Sequence, residues 1–404
     1  MRILLLTHEY PPYIFGGIGV FCFNLANALS ESGVEVTVVA GTPSSLIKKK
    51  LVDRKVISDN LTVIRVPRID IPPSHLWYQI MNLSAIKKLI GNFNLVHAQD
   101  CSSFPMIYFG KKKNFKVPWI VSIHTGPAAE LYYALKSAVS LEGSLKDFIT
   151  YAIGFPLWDV SLRGHIELAD GLVAVSQSLS KELKESYGIN RKNLYTIYTG
   201  VNIEELENIV KIGPTCSSTF KGVRLFFGGR FYWRKGIIHL LRSVAYLAHE
   251  IGFKNFQLQI FGSGPLESKI REFITSLDLA HHILIRGFVK YDKLITSMAT
   301  SDIVCLPSLY EACPVGMIEA MTLGKPILAF NRPFSRELLG DDPDVPLATS
   351  IEEYARYLYL LCISEHWRNK IGERLHRKAH ERFDIKNIAN SYCKLYRRIL
   401  SDRD

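Results

Sequence analysis

Short apolar runs alternate along this chain with longer stretches of helical periodicity. The runs rich in Val, Ile and Leu lie at 2–6, 34–40, 94–98, 119–123 and 172–175, and then at 223–227, 257–261, 283–285, 303–306 and 326–329. Continuous apolar strands separated by amphipathic helices predict parallel sheets that are covered on both faces. In such sheets ligands bind beyond the carboxyl ends of the strands, so chemistry is expected there.

The chain is too long for a single hydrophobic core. Its 404 residues predict two domains. We place them at 1–200 and 201–384, with a loop rich in Gly, Pro, Ser and Thr at 211–221 and a final helix at 385–404. One face of that helix carries the apolar residues Ile388, Tyr392, Leu395, Tyr396 and Ile399.

Two glutamates bracket a turn from an apolar strand end into a helix. Glu311 and Glu319 flank the turn, and Pro314 suits the first helical position because its missing N–H costs nothing there. The free N–H groups and dipole of a helix start make an anion site. Two solvated glutamates beside an ordinary turn remain the alternative interpretation.

Cations lie beyond the strand at 223–227. The segment from Gly228 to Gly236 contains Arg230 and Lys235 and precedes a helical run. Arginine offers a planar fork of donors and lysine a compact charge, which together suit a diphosphate. A basic surface turn is the alternative.

Together these segments resemble family 4 of the retaining glycosyltransferases. The family pattern has Glu, seven residues and Glu, preceded by Gly-Arg, four residues and Lys-Gly; both occur here with their spacing intact. The resemblance implies an α/β fold of the GT-B type. In that fold two facing Rossmann-like domains with parallel sheets border an interdomain cleft, and the last helix crosses back onto the first domain.

The resemblance extends to the N-terminal half and implies a set of site residues. The resemblance implies that a glycine loop at Gly16 and Gly17 reaches a phosphate of the sugar donor, and that His124, at the end of a strand, faces the transferred sugar. The family usually has a histidine where this chain has Gln99. The implied catalytic residues are His124, Arg230, Lys235 and Glu311, and the implied donor-binding residues are Gly16, Gly17, Gly229, Val289, Cys313, Val315, Gly316 and Glu319.

The resemblance implies a role for each residue toward one part of the sugar donor, a nucleotide-diphosphate sugar. Arg230 and Lys235 would neutralise the leaving diphosphate, Glu319 would hold the ribose, and Glu311 with His124 would bind sugar hydroxyls. No residue is an evident nucleophile, so the resemblance implies retention by same-face attack. The sequence leaves open a nucleotide-sugar epimerase or hydrolase on the same fold, and a non-catalytic binding subunit.

Two rival patterns point to other chemistry. Gly17 and Gly19 could begin a dinucleotide fingerprint, but the third glycine position is Cys22 and no acidic residue follows the next strand, which argues against a dehydrogenase. Asp342 and Asp344 match a metal-binding Asp-x-Asp pattern, but they lie among turn residues. We expect a turn there, no metal and no cofactor, since the nucleotide-diphosphate sugar is a substrate.

Composition and charge predict the cellular compartment of the protein and the surfaces that it can bind. Seven scattered cysteines without a close pair, and no long uncharged apolar run, predict a cytoplasmic protein in a reducing compartment. The net charge of +11 includes the triplets 48–50 and 111–113. These suit either solvated loop tips or an anionic membrane surface with a lipid-linked acceptor, whereas no nucleic-acid module is present. The aromatic-rich insertion at 127–165 suits a lid, a dimer contact or a membrane-facing surface.

Overall fold

The computed structural model describes residues 1–14, 16–43, 53–69, 74–100, 103, 106–108, 116–139, 145–189, 193–212, 220–340 and 343–402. Its contacts divide the chain into two compact units. The first unit comprises Met1–Leu131, Thr150–Val201 and Ile385–Asp404, and the second comprises Tyr132–Ile149 and Asn202–Asp384.

The segment Tyr132–Ile149 differs from the sequence-based division, which assigns all of 1–200 to the first domain. One contact of this segment within the second unit is aromatic. The Tyr133 ring stacks on the Tyr310 ring with centroids 5.4 Å apart. An aromatic contact between residues so distant in the sequence is not visible in a pattern of strands and helices.

The first unit is built on an eight-stranded sheet. Its strands are β1 (Arg2–Thr7), β2 (Glu35–Pro43), β3 (Asp53–Ser58), β4 (Leu61–Arg68), β5 (Leu95–Gln99), β6 (Trp119–Ile123), β7 (Gly171–Ala174) and β8 (Leu194–Thr196). They lie in the order β3-β4-β2-β1-β5-β6-β7-β8, and all neighbouring pairs except β3 and β4 are parallel. The sequence pattern does not predict β3 and β4; Val56 and Ile57 on β3 remain exposed, as befits an edge strand.

The second unit is built on a six-stranded sheet that is parallel throughout. Its strands are β9 (Val223–Gly228), β10 (Phe256–Phe261), β11 (Ile283–Gly287), β12 (Ile303–Leu306), β13 (Ile327–Phe330) and β14 (Leu347–Ala348), in the order β11-β10-β9-β12-β13-β14. The predicted parallel α/β architecture is therefore confirmed in both units.

Helices connect the strands. They are α1 (Gly17–Glu31), α2 (Ser74–Ile90), α3 (Pro127–Val139), α4 (Leu145–Leu168), α5 (Gln177–Tyr187), α6 (Ile203–Ile212), α7 (Ile237–His249), α8 (Glu267–Ser276), α9 (Tyr291–Ala299), α10 (Val315–Thr322), α11 (Pro333–Leu339), α12 (Ile351–Ile363), α13 (Glu365–Arg382) and α14 (Ile385–Ser401). Within the described residues, none of these helices is both long and apolar enough to cross a membrane.

The last helix completes the core of the first unit. The Ile385 N–H donates to the Val201 carbonyl over 2.9 Å, which aligns α14 where the chain re-enters this unit. The apolar face of α14, including Ile388, Tyr392 and Tyr396, is buried in the core that surrounds β1 and α1. This is the face that the sequence pattern identifies.

Each sheet reverses its strand order beside one strand. In the first unit, β1 lies between β2 and β5; in the second, β9 lies between β10 and β12. Crossover connections leave such a strand toward opposite sides, which opens a crevice beyond its carboxyl end. The residues that follow these strands are therefore the first place to look for a site.

Candidate active site

Glycines allow two loops of the second unit to touch at the crevice beyond β9 and β12. Gly236 has φ +66°, and a Cβ on it would lie 1.9 Å from the Pro307 carbonyl oxygen. The Leu309 N–H donates to the Arg234 carbonyl over 2.8 Å. Only glycine permits this backbone approach, and the contact places Lys235 beside the loop that carries Glu311.

Lys235 and Glu311 form an ion pair within the second unit. The Lys235 ammonium donates to Glu311 Oε1, and the Ser308 hydroxyl donates to the same oxygen over 3.2 Å. The Glu311 side chain is only 10% exposed. Burial alone would raise the pKa of Glu311, but the charges of Lys235 and Arg234 and the two hydrogen bonds lower it below its ordinary value. Glu311 is therefore held as a charged acceptor in a fixed position.

Arg230 has a different environment from Lys235. It follows Gly229, whose φ is +156°, and its guanidinium lies 5.6 Å from the centroid of the Tyr232 ring. Arg230 is exposed, whereas the Lys235 side chain is 27% exposed. The loop therefore presents a solvent-exposed guanidinium, that of Arg230, and a partly buried ammonium, that of Lys235.

The helix α10 begins directly after this loop. Pro314 precedes the helix with extended backbone, so the helix starts at Val315, one residue later than the sequence-based placement. No side chain caps this end, and the first N–H groups of a helix have no intrahelical acceptor. Val315 and Gly316 therefore offer donors to an anion, while Cys313 stands just before them, half-buried and outside any disulfide.

Glu319 lies on α10 and is bound by a tyrosine. The Tyr291 hydroxyl donates to Glu319 Oε1 over 2.6 Å, and Glu319 is 5% exposed. Burial raises the pKa of Glu319, although the Tyr291 hydrogen bond and the Lys235 charge oppose this shift. Val289 lies two positions before Tyr291, in the turn between β11 and α9. Lys235 is thus electrostatically coupled to both glutamates of the motif.

The predicted histidine of the first unit stands at the end of β6. His124 Nε2 lies 2.8 Å from Gln99 Oε1, and the Gln99 amide nitrogen lies 3.1 Å from His97 Nε2. Burial, with a smaller contribution from His8, lowers the pKa of His124 to about 3, so the ring is neutral at neutral pH. Because an amide oxygen only accepts, His124 carries its proton on Nε2 and its lone pair on Nδ1.

Residues of the last helix hold this network. The Tyr396 hydroxyl lies 2.7 Å from His97 Nδ1, and the Tyr392 hydroxyl lies 2.9 Å from Ser122 Oγ, which is 2.8 Å from His97 Nε2. Burial lowers the pKa of His97 to about 3 as well. Tyr396 of α14 thus orients His97, His97 orients the Gln99 amide, and the amide sets the tautomer of His124.

The glycine loop of the first unit opens α1. The Gly16 N–H donates to Glu9 Oε2 over 3.0 Å, and Glu9 Oε1 lies 3.2 Å from His8 Nε2. The Gly16 amide is therefore committed to Glu9. Gly17 is the first residue of α1, so its N–H belongs to the turn that lacks intrahelical acceptors. Of the two glycines, Gly17 is the better placed to donate to an anion.

Sequence reasoning missed Ser308, Tyr291 and the two tyrosines of α14 as partners of the predicted residues. Ser308 is three positions before Glu311, so its proximity could have been inferred. Tyr291 is 28 residues from Glu319, and no spacing rule connects them. Gln99 departs from the usual histidine, yet it bonds His124 directly.

The Asp-x-Asp segment is only partly within the described residues, since Asp342 lies outside them. Asp344 lies 2.8 Å from Lys370 Nζ and 2.6 Å from Arg374 Nη1. Its carboxylate is therefore paired with two cations, which agrees with a structural turn.

Comparison with known proteins identifies the family. The model of "Glycosyltransferase Family 4" matches residues 15–205, and that of "Glycosyl transferases group 1" matches residues 221–377. The chain belongs to the family 4 glycosyltransferases, and the predicted hexosyltransferase-type enzyme is thereby confirmed as a class.

Individual relatives and solved structures agree with this assignment. An uncharacterized glycosyltransferase of Methanocaldococcus jannaschii is 25% identical over 343 residues, covering 81% of this chain and 80% of its own. Sucrose-phosphate synthase from Thermosynechococcus elongatus has a TM-score of 0.79 at 17% identity, over 99% of both chains. HepE of Anabaena, solved in complex with UDP and glucose, has a TM-score of 0.70 at 18% identity, over 98% of this chain and 99% of its own. The solved structures establish the predicted GT-B type of fold.

Proposed function

We propose that this glycosyltransferase moves a sugar from a nucleotide-diphosphate sugar to a hydroxyl acceptor with retention of configuration, and that its second unit holds the donor. One observation carries the proposal. Lys235 is paired with the largely buried side chain of Glu311 and coupled to Glu319, next to the uncapped start of α10. A cation, two carboxylates that accept hydrogen bonds and the first N–H groups of a helix therefore converge beyond β9, where the strand order of the sheet reverses.

The diphosphate is assigned to Arg230, Lys235 and the first N–H groups of α10. Charge grows on the diphosphate oxygen as the bond to the sugar breaks. Fixed cations and helix N–H groups stabilise that charge without reorganising solvent. HepE, which binds UDP, has the same type of fold.

The hydroxyl groups of the donor are assigned to carboxylates. Glu319 accepts from the ribose, and Tyr291 keeps one of its oxygens in place. Glu311 accepts from sugar hydroxyls, since the pairing with Lys235 keeps it charged. In the first unit, His124 Nδ1 is assigned as a further acceptor for a sugar hydroxyl.

The proposed reaction breaks the bond between the anomeric carbon and the β-phosphate oxygen, whose electron pair goes to the diphosphate. The acceptor hydroxyl attacks the same face, and its proton passes to a phosphate oxygen of the leaving group. Glu311 would be the obvious nucleophile for a covalent alternative. Its binding to Lys235 and Ser308 fixes it as an acceptor instead, which favours same-face attack.

A donor screen tests this function. UDP-, GDP- and ADP-sugars are compared by thermal shift, and donors that bind are then incubated with sugar and lipid-linked acceptors. We expect one base to raise the melting temperature, and acceptor-dependent release of the nucleoside diphosphate with retained configuration. Turnover without an acceptor would instead support the epimerase or hydrolase, and binding without any turnover would support a non-catalytic subunit.

A lipid-linked acceptor is proposed because of an exposed apolar stripe on α4. Ile153 is 73% exposed, Leu157 52% and Val160 56%, and their spacing places them on one helix face. A helix with apolar groups on its exposed side can lie in a membrane interface. The basic triplets 48–50 and 111–113 lie outside the described residues, but their charges favour an anionic surface.

We predict that the protein floats with anionic vesicles and less with neutral ones, and that salt weakens the association. Replacing Ile153, Leu157 and Val160 with serine should lower the vesicle partition coefficient about a thousandfold or more, because each buried apolar side chain contributes about 1.5–3 kcal/mol. Flotation on phosphatidylglycerol and phosphatidylcholine vesicles measures the effect.

Ile212→Ser provides the matched control, since Ile212 is an apolar residue with 84% exposure that lies on α6. Equal flotation of the stripe variant and this control, or no flotation of the unaltered protein, would leave a soluble acceptor as the better account. Neutralising both lysine triplets separates the electrostatic contribution from the apolar one.

A further inference from the structure

Three metal-ligating side chains meet in the second unit away from the donor-binding residues. Glu207 lies on α6, and His376 and His380 lie one helical turn apart on α13. One potential ligand atom from each of the three lies within 4.8 Å of the others. Residues four apart share a helix face, so both rings project toward α6.

Backbone carbonyls set the tautomer of both rings. His376 Nδ1 lies 2.6 Å from the Thr322 carbonyl oxygen, and His380 Nδ1 lies 2.9 Å from the His376 carbonyl oxygen. A carbonyl can only accept, so each Nδ1 carries a proton and each neutral ring keeps its lone pair on Nε2. Metal-binding histidines commonly have this arrangement, in which an outer carbonyl orients the ring and raises its basicity.

The contact between His380 and Glu207 requires a positive charge between two acceptors. His380 Nε2 lies 3.2 Å from Glu207 Oε1, while Lys211 approaches the other oxygen, Oε2, at 3.9 Å. A lone pair and a carboxylate repel unless a proton or a cation lies between them. The distance is close to the edge of a zinc tetrahedron, which is about 3.4 Å for metal–ligand distances near 2.1 Å.

We propose that Glu207, His376 and His380 bind a divalent transition metal of the zinc class, with water as the fourth ligand. Two imidazoles and one carboxylate suit zinc, whereas magnesium prefers a shell of oxygen atoms. The alternative occupant is a proton that makes His380 an imidazolium. His376 favours the metal, because it brings a second imidazole within 4.8 Å of the other two ligand atoms, which a single proton shared by His380 and Glu207 would leave unused.

The position of the site indicates a structural role. Helix α6 begins the longer segment of the second unit, Asn202–Asp384, and α13 ends it, so the metal joins the two ends of that segment. His376 also bonds Thr322, the last residue of α10. A metal here would therefore fix the far end of the helix whose start is assigned to the donor.

Zinc binding tests the proposal without any substrate, so its outcome is independent of the proposed enzymatic function. Metal-free protein is titrated with Zn²⁺ in competition with a chromogenic chelator. We expect one equivalent to bind, and His376→Gln and His380→Gln to lower the affinity at least tenfold, as even loss of an outer partner can do. Co²⁺ at the same site should give the visible absorption of a tetrahedral cobalt centre with nitrogen and oxygen ligands.

His366→Gln is the matched control, because His366 is an exposed histidine on the same helix and is not part of the cluster. It should keep the affinity of the unaltered protein. Zn²⁺ should also raise the melting temperature of the unaltered protein and of the control, with reversal by EDTA, but not that of the cluster variants. Equal zinc affinity in all four proteins, or no stoichiometric binding, would overturn the proposal and leave the proton as the occupant.

Discussion

Arg230→Ala and Lys235→Ala should each lower turnover about a hundredfold, since loss of one electrostatic donor to the developing charge costs about 3 kcal/mol. The cause is the growth of negative charge on the leaving diphosphate. Steady-state kinetics with the donor found by the screen measure kcat and kcat/KM, and thermal unfolding measures the stability of each variant. Turnover should fall far more than stability.

The two variants differ in a way that the structure explains. Arg230 is exposed and contacts the Tyr232 ring, so its loss should leave stability nearly unchanged. Loss of Lys235 leaves the largely buried Glu311 side chain without its paired lysine, so some destabilisation is expected. Lys293→Ala removes an exposed cation of α9 and serves as the control. Near-normal turnover of either site variant would refute the diphosphate assignment.

Glu319→Gln should weaken binding of the nucleoside diphosphate about tenfold to a hundredfold, because a hydrogen bond to a charged group contributes about 1.5–3 kcal/mol. Tyr291→Phe should have a smaller effect in the same direction, since it frees one Glu319 oxygen from its donor. Calorimetry with the nucleotide and with its 2′,3′-dideoxy analogue measures both. The unaltered protein should discriminate against the analogue, and Glu319→Gln should not.

Tyr359→Phe controls for loss of a hydroxyl elsewhere in the same unit, where the Tyr359 ring contacts Phe253. If Glu319→Gln still discriminates fully between the two nucleotides, another residue holds the ribose.

The pH dependence of nucleotide affinity gives a second test of the Glu319 assignment. Burial raises the pKa of Glu319 and the charged form accepts the hydroxyls, so affinity should be lost as the pH falls through that raised pKa. Dividing the affinity of the unaltered protein by that of Glu319→Gln at each pH cancels the contribution from titration of the nucleotide phosphate, which is the same for both proteins.

Local patterns were sufficient to predict the strands, turns and helix that carry the candidate site of the second unit. The apolar strand at 303–306, the glycine stop after α10 and the spacing of Glu311 and Glu319 are all short-range features. The same holds for Gly229, Arg230 and Lys235 beyond β9. A parallel sheet places such strand ends at one edge, which is why motifs separated along the chain could be assigned to one crevice.

The partners of these residues could not be predicted, because they depend on tertiary contacts. The pairing of Lys235 with Glu311 depends on the close approach of Gly236 to Pro307, and nothing near either motif indicates it. Tyr291 reaches Glu319 only because α9 and α10 are neighbours. The edge strand β3 was missed because its exposed apolar residues lack the buried pattern by which the other strands were identified.

The return of α14 to the first unit has a consequence for biosynthesis. Tyr396 binds His97 across a separation of 299 residues, and Tyr392 binds Ser122 across 270. The residues 202–384 of the second unit are therefore synthesised before the ring of His97 gains its partner on α14. Domains of a growing polypeptide usually fold from the N-terminus onward. In this protein the first unit begins to fold early but completes its core last, so premature termination near the end of translation would leave the His124 network without its two tyrosines while the second unit is already intact.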